Sequence, residues 1–227
     1  MNPIFPSILS TNFYDLNEKL AIFKKGGIDF IHLDIMDGHF VDNLSFGPSI
    51  IKPVKERYGF NIDSHLMVSN PQKIIPYFIK AGSDWISFHI EIGKGTEKNI
   101  SMIKDAGRKA GLAINPDTDV KTLVPYISKV DYILMMSVFP GYGGQKFIPG
   151  TLDRISDLKG QINSLNPDCL IQVDGGINIS NTGILRSKGA DLFVIGTSLY
   201  NSDNIIEDIS KIEETMEGEK YEKTGSN

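Results

Sequence analysis

Histidine and carboxylate side chains recur inside short apolar segments of the sequence. His32 and Asp34 are two residues apart in one segment, so both point to the same face if that segment is a strand. His65 and Asp174 end two further segments. Each residue alone could be a hydrogen-bonded core histidine or a capping aspartate. Together they predict one divalent metal site, because buried charges are costly unless paired or metal-bound, and these ligands suit zinc, iron, manganese or cobalt.

His89 and Glu91 repeat the two-residue spacing in another apolar segment. They are candidates for direct ligation of the metal. A pair that orients the metal ligands or helps to bind a sugar is an equally good interpretation, because ligating histidines usually have such partners.

Glycine-containing turns follow three later apolar segments. The backbone N–H groups of such turns, together with helix N-termini, can bind an anion without any basic side chain. Glycines that serve only tight turns are the alternative, but three such turns in one part of the fold favour a phosphate site. The predicted phosphate-binding residues are Gly141, Gly143, Gly144, Gly175, Gly176, Gly196 and Thr197.

Two apolar features complete the predicted site. Aromatic residues in the glycine-containing segment after the sixth strand could form a lid that excludes water. They are Phe139, Tyr142 and Phe147. Methionines near the site could cover a planar intermediate, or they could simply fill the core. They are Met36 and Met67, with Met135 or Met136.

The elements that must position these residues form a regular alternation. Eight short apolar segments, each bounded by turn residues, alternate with longer segments of helical periodicity. The predicted strands lie at 4–7, 30–34, 62–66, 85–89, 112–115, 132–137, 170–174 and 192–196. This pattern predicts a single-domain (β/α)₈ TIM barrel over residues 1–212, with a polar, disordered tail at 213–227. An open doubly wound sheet is the alternative, which the lack of a Gly-x-Gly-x-x-Gly motif after the first strand disfavours.

The composition excludes several classes of function. The chain has 227 residues and a net charge of −5, which argues against nucleic-acid binding. A single cysteine, Cys169, cannot form an internal disulfide, so we expect a reducing, cytoplasmic location. The sequence shows no signal-peptide pattern and no apolar stretch long enough to span a membrane.

A metal site opposite a phosphate site suits a small phosphosugar. Asp34 and Asp174 belong to the second and seventh strands, which lie across a barrel from each other. Two such carboxylates match epimerisation, in which one removes a proton from carbon and the other delivers one to the opposite face. The metal would stabilise the enediolate as its charge develops.

Five motifs in the chain resemble those of the ribulose-phosphate 3-epimerase family. They lie at 6–10, 32–41, 65–68, 137–147 and 173–177, in the order that the family has them. The second and fourth are long and specific.

This resemblance implies specific roles. His32, Asp34, His65 and Asp174 match the metal ligands, with zinc foremost among the ions, and the two aspartates match the acid–base pair. Ser7 and His65 match substrate contacts, and residues 141–144, 175–176 and 196–197 match the phosphate site. The implied reaction converts D-ribulose 5-phosphate to D-xylulose 5-phosphate in the pentose-phosphate pathway, and the implied assembly is a homo-oligomer, a dimer or a hexamer.

The sequence departs from the family pattern at Asp42, Phe139 and Ser198. The segment 195–198 is similar to that of the related D-allulose-6-phosphate 3-epimerases, which produce D-fructose 6-phosphate, so a hexulose phosphate is the alternative substrate. A catalytically inactive phosphosugar-binding barrel and a metal-free barrel isomerase or lyase are alternatives of other classes.

Overall fold

Eight parallel strands form the centre of the molecule. The computed structural model describes residues 1–224, and the side chains of residues 1–217. The strands are β1 (Ile4–Pro6), β2 (Phe30–Met36), β3 (Asn61–Met67), β4 (Trp85–His89), β5 (Lys109–Ile114), β6 (Tyr132–Met136), β7 (Leu170–Asp174) and β8 (Leu192–Ile195). From β2 to β8 each strand pairs with the next along the chain, and β8 pairs with β1. A parallel bridge from Ser7 to His32 joins β1 to β2 and closes the barrel, which confirms the (β/α)₈ prediction over the open sheet.

Helices surround the barrel, with one exception to the predicted alternation. They are α1 (Leu16–Lys25), α2 (Ile51–Tyr58), α3 (Pro71–Ala81), α4 (Thr96–Asp105), α5 (Thr151–Leu165), α6 (Ile179–Lys188), α7 (Thr197–Tyr200) and α8 (Ile205–Thr224). Between β5 and β6 the chain forms two 3₁₀ turns, Val120–Leu123 and Ile127–Lys129, where the sequence predicts a helix. Pro125, which lies between the two turns, explains why they do not join into one helix, because proline lacks the N–H that a helix interior requires.

Local sequence signals set the ends of the helices. The side chain of Asn70 accepts a hydrogen bond from the N–H of Lys73 at the start of α3, which ends at Gly82 with a φ of 102°. Asn178 forms a capping box at the start of α6, which ends at Gly189 with a φ of 114°. Left-handed backbone of this kind favours glycine, so these residues fix where the chain turns back towards the next strand.

The alternation of side chains along β2 separates the core from the site. Ile31, Leu33 and Ile35 are buried in the apolar cluster between the strands and the helices. His32 and Asp34 belong to the other face, which lines the barrel interior. The fold therefore brings a nitrogen ligand and a carboxylate into the interior from a single strand.

Aromatic rings fill the amino-terminal end of the barrel interior. The ring centroids of Phe5 and Phe30 are 4.6 Å apart, and those of Trp85 and Tyr132 are 4.8 Å apart. All four side chains belong to one buried cluster inside the barrel. The polar residues of the barrel interior lie above this packed aromatic layer.

A repeated aspartate secures the same end of the barrel. Asp29, Asp84, Asp131 and Asp191 stand directly before the even-numbered strands. Each accepts a hydrogen bond of 2.8 or 2.9 Å from a backbone N–H near the start of the preceding odd-numbered strand. For β1 this N–H belongs to Asn2, two residues before the strand begins. Because unpaired backbone donors are costly to bury, the four carboxylates stabilise the face opposite the carboxyl ends of the strands.

The helix α8 continues past residue 212, where the sequence predicts that the domain ends. Met216 is buried against the core, and the hydroxyl of Thr215 is 2.9 Å from that of Thr182 on α6. Packing against α6 orders this part of the polar segment as helix, which corrects the predicted start of the tail. Residues 225–227 of that predicted tail lie outside the described residues.

Within the described part of the chain, no helix has the length and apolar character needed to cross a membrane. The cytoplasmic location and the homo-oligomer remain predictions.

Candidate active site

Four predicted metal ligands meet at the carboxyl ends of the strands. His32 and Asp34 come from β2, His65 from β3 and Asp174 from β7, and one ligand atom of each lies within 4.8 Å of the others. Asp34 Oδ1 is 3.3 Å from His32 Nε2 and 3.2 Å from His65 Nδ1. Asp174 Oδ2 is 4.0 and 3.9 Å from the same two nitrogens. Two nitrogens and two carboxylate oxygens therefore face one another across a space that a divalent cation would fill.

The second nitrogen of each histidine is engaged outside this group. His32 Nδ1 is 2.8 Å from Asp63 Oδ2. His65 Nε2 is 2.9 Å from His89 Nε2, and His89 Nδ1 is 3.0 Å from Glu91 Oε2. A carboxylate accepts the N–H of the ring next to it, so the neutral form of His32 has its lone pair on Nε2, and the relay through His89 places that of His65 on Nδ1. Both of these nitrogens face the carboxylates of Asp34 and Asp174, and the donor set fits a metal ion that displaces the second proton of His32.

His89 and Glu91 thus lie behind His65 rather than in the ligand group. Glu91 Oε1 accepts the N–H of Asn115 at 2.8 Å and the hydroxyl of Thr118 at 2.6 Å. Burial opposes ionisation of Glu91, but the hydrogen bond and charge of His89 and these further donors lower its pKa. The geometry favours the interpretation of this pair as one that orients a ligand.

The two carboxylates of the group differ in their surroundings. Burial alone would raise the pKa of Asp34, but His32 and His65 hold it well below its usual range. Ser7 also donates a hydrogen bond of 2.5 Å to Asp34 Oδ2. Burial and the adjacent charge of Asp34 raise the pKa of Asp174 to about 8. Without a cation, two carboxylates in one buried site do not both ionise readily.

The two histidines of this group respond to burial in different ways. Burial lowers the pKa of His65 to about 4, although Asp34 opposes the shift. Burial also acts to lower the pKa of His32, but the carboxylates of Asp34 and Asp63 outweigh it and raise that pKa. His65 is therefore neutral near pH 7, the form in which an imidazole binds metal.

A cavity of about 360 Å³ opens above this group. Most of the predicted substrate-binding residues line it: Ser7, Met36, Met67, Gly141, Tyr142, Gly143, Gly144, Asp174, Gly175, Gly176, Gly196 and Thr197. His65 does not, because it is completely buried beneath the cavity. Met136 lines the wall, whereas Met135 packs outward in the core, so the structure distinguishes two methionines that the sequence leaves open.

The glycine turns permit close approaches of the backbone at one end of the cavity. A Cβ on Gly176, whose φ is +66°, would lie 2.5 Å from the backbone N of Phe147. A Cβ on Gly196 would lie 2.6 Å from Ser10 Oγ. The chain enters α6 and α7 directly after these turns, so the N-termini of both helices adjoin the same end of the cavity. Backbone donors and helix N-termini are an arrangement that binds phosphate.

Ser10 belongs to this end of the cavity and was not predicted. Its Oγ is 3.1 Å from the Oγ1 of Thr197. The signal in the sequence is its place in the motif 6–10, three residues after Ser7, but only the closed barrel brings it beside residue 197.

The predicted lid is joined to the loop after β2. Asn43 Nδ2 donates to the carbonyl of Gly141 at 2.7 Å, and the hydroxyl of Tyr142 donates to the carbonyl of Asp42 at 2.8 Å. Phe139 and Tyr142 line the cavity and are half-exposed. Asp42, where the sequence departs from the family pattern, contributes its backbone to this contact. Movement of the segment remains a prediction.

Comparison with known proteins agrees with this geometry. Residues 3–200 match the model of the Ribulose-phosphate 3 epimerase family. The chain is 38% identical to the ribulose-phosphate 3-epimerase of Aquifex aeolicus over 216 residues, which cover 95% of this chain and 97% of the relative. It is 40% identical to that of Escherichia coli K12 over 95% of each chain. It is 39% identical to that of Bacillus subtilis over 93% of this chain and 98% of the relative.

Proposed function

The chain belongs to the ribulose-phosphate 3-epimerase family, and we propose that it is a metal-dependent isomerase that converts D-ribulose 5-phosphate to D-xylulose 5-phosphate. The observation that carries this proposal is the placement of two carboxylates, Asp34 and Asp174, from opposite sides of the barrel around one buried centre. An epimerase needs this arrangement, because the proton must leave one face of the carbon and return to the other.

The two aspartates serve as the acid–base pair. Asp34 is the carboxylate held ionised by its neighbours, including the hydroxyl of Ser7, so it can accept the proton from C3. Asp174 has the raised pKa and is the more exposed to the cavity of the two, so it can hold the proton that is delivered to the opposite face. In the reverse direction the roles exchange, as microscopic reversibility requires.

His32, Asp34, His65 and Asp174 would hold the ion, with zinc foremost and iron, manganese or cobalt as alternatives. When bound, the ion supplies positive charge beside the substrate oxygens that become negative as the proton leaves C3. An apolar wall of the cavity is formed by Met36, Met67 and Met136. This wall excludes water, so that water does not protonate the planar intermediate.

The phosphate is bound by the backbone at the far end of the cavity. Gly176 and Gly196 allow close approach of their N–H groups, and the hydroxyls of Ser10 and Thr197 lie beside them. Because these donors are neutral, a chain with a net charge of −5 can still bind an anionic sugar phosphate. The distance between this end and the acid–base pair selects the length of the sugar.

A kinetic comparison of two substrates tests the proposal. The purified protein, with its metal content measured on the same sample, is assayed with D-ribulose 5-phosphate and with D-allulose 6-phosphate. We expect a clear preference for the pentulose in kcat/KM. A preference for the hexulose would overturn the substrate, and inactivity on both would overturn the enzymatic function. Full activity without bound metal would overturn the role of the ion.

A further inference from the structure

A buried carboxylate lies beneath the proposed metal site, in the middle of β3. Asp63 is completely buried and does not line the cavity. Its carboxylate receives three hydrogen bonds, from His32 Nδ1 at 2.8 Å, from Gln172 Nε2 at 2.7 Å and from the hydroxyl of Tyr132 at 3.0 Å. These donors come from β2, β7 and β6, so four strands meet at this one group.

The position of Asp63 is unusual for a barrel interior. The inner layers of such barrels are normally filled by branched apolar side chains. Among the side chains that the structure describes, no lysine or arginine forms an ion pair with Asp63, and its partner in charge is His32. A buried carboxylate without a strong cation costs free energy that an apolar residue would not. Stability of the fold therefore does not explain it.

The neighbours of Asp63 are arranged to keep it as an acceptor. Gln172 directs its amide nitrogen at Asp63, although its Oε1 is then buried without a hydrogen-bond partner. Gly111 on β5 makes room for the ring of Tyr132, since a Cβ there would lie 2.4 Å from the ring carbon Cζ. Position 111 thus has no side chain, and Gln172 leaves one buried oxygen without a hydrogen bond, and both features allow the contacts with Asp63.

We propose that Asp63 is a positioning residue for the metal site, acting through His32. By accepting the Nδ1 proton it fixes the tautomer and the orientation of the ring, so that the lone pair of Nε2 points at Asp34 and Asp174. Tyr132 and Gln172 hold Asp63 in turn. The inference rests on the proposed function for the presence of a metal ion, and it adds three residues that the four-ligand group does not include.

Direct binding of Co²⁺ to the metal-free protein tests this role without an assay of activity. The variants are Asp63→Asn, which keeps the shape and removes the charge, and Tyr132→Phe, which leaves His32 untouched. Ser64→Ala is the matched control, because Ser64 is the adjacent residue of β3, is equally buried and bonds to Ser83 on the outer side of the barrel at 2.8 Å. Affinity is measured by competition with a chelator, and the visible absorption of bound Co²⁺ reports its ligand geometry.

We expect Asp63→Asn to weaken Co²⁺ binding about 10- to 100-fold and to alter the Co²⁺ spectrum, as loss of such a partner does elsewhere. Tyr132→Phe should weaken binding about 3-fold, because it removes one hydrogen bond to Asp63 and leaves the bond from His32 in place. Ser64→Ala should bind as the parent does. Because Asp63 is remote from the phosphate site, the KM for the sugar phosphate at saturating metal should change less than kcat.

The outcomes separate this proposal from the proposed function. If Asp63→Asn folds and binds Co²⁺ as tightly as the parent, with the same spectrum, the positioning role is overturned. If Asp63→Asn does not fold, unchanged affinity and spectrum in Tyr132→Phe overturn it instead. A parent protein that binds no Co²⁺ overturns both proposals. A parent that binds Co²⁺ but epimerises neither sugar overturns the function alone.

Discussion

The two-carboxylate arrangement makes a prediction that a single-base mechanism does not. The perturbation is Asp34→Asn in one variant and Asp174→Asn in the other. Asparagine has nearly the shape of aspartate but cannot accept or deliver the proton. Each aspartate lies within 4.0 Å of the same two ligand nitrogens, so each replacement also removes one charged oxygen from the proposed metal site. Bound metal must therefore be measured alongside turnover.

The expected magnitude follows from the loss of an acid–base group. Such groups raise the rate about 10²- to 10⁴-fold, which corresponds to about 2.7–5.5 kcal/mol of transition-state stabilisation. We expect net epimerisation to fall by at least that factor in each variant at saturating metal, because either direction of the reaction uses both residues. The phosphate site is not altered, so binding of the sugar phosphate should be largely retained.

Exchange of the C3 proton in D₂O separates the two roles. Each variant retains one of the two carboxylates, which can still remove a proton from the face it meets and return deuterium to that same face. One variant should therefore exchange only D-ribulose 5-phosphate and the other only D-xylulose 5-phosphate, each faster than it epimerises. Mass spectrometry of both sugars gives the exchange rates. Epimerisation within tenfold of the parent, or the same exchange preference in both variants, would refute the reasoning.

The remaining predictions concern the metal, the phosphate site and the fold. Because the carboxylates of Asp34 and Asp63 raise the pKa of His32 well above its usual value, a metal ion must displace the proton on Nε2 of this ring. The apparent affinity for Zn²⁺ should therefore rise between pH 6 and pH 8, by up to about tenfold per pH unit. A flat profile in calorimetric titrations would contradict this. Gly176→Ala should raise the KM for D-ribulose 5-phosphate by about tenfold or more with metal content unchanged, since its Cβ would lie 2.5 Å from a backbone nitrogen. Gly150→Ala is the control, because a Cβ there meets nothing within 4 Å. Equal KM values in the two variants would argue against the phosphate site. Asp131→Ala should lower the free energy of unfolding in urea by about 1–3 kcal/mol, because the N–H of Ala110 loses its acceptor, and it should leave KM unchanged because the site lies at the other end of the barrel.

Much of the site could be predicted because each signal is local. The spacing of His32 and Asp34 places both on one face of any strand. Turns that contain Gly176 and Gly196 can approach an anion wherever they lie. These signals depend only on side-chain chemistry and on the two-residue period of a strand, so they need no knowledge of the rest of the chain.

Other features could not be predicted because they depend on residues distant in sequence. Asp63 stands two residues before His65 on the same face of β3, but its hydrogen-bond partners are 31, 69 and 109 residues away, so its contact with His32 has no local signal. His89 and Glu91 have the same spacing as a ligand pair, yet they lie one step behind the site because His65 stands between them and its centre. Sequence spacing alone does not distinguish these two positions.

The amino-acid sequence by itself determined the alternation of strands and helices, the four residues of the proposed metal site and the glycine turns, because each follows from short-range periodicity and residue chemistry. Only the tertiary structure decided that Met136 rather than Met135 meets the cavity, that Ser10 lies beside Thr197 and the proposed phosphate site, and that helix α8 packs beyond residue 212. It also decided that Asp63 holds His32 from beneath. The physical reason is closure of the barrel, which fixes the rotation of every strand and brings together side chains that no local pattern connects.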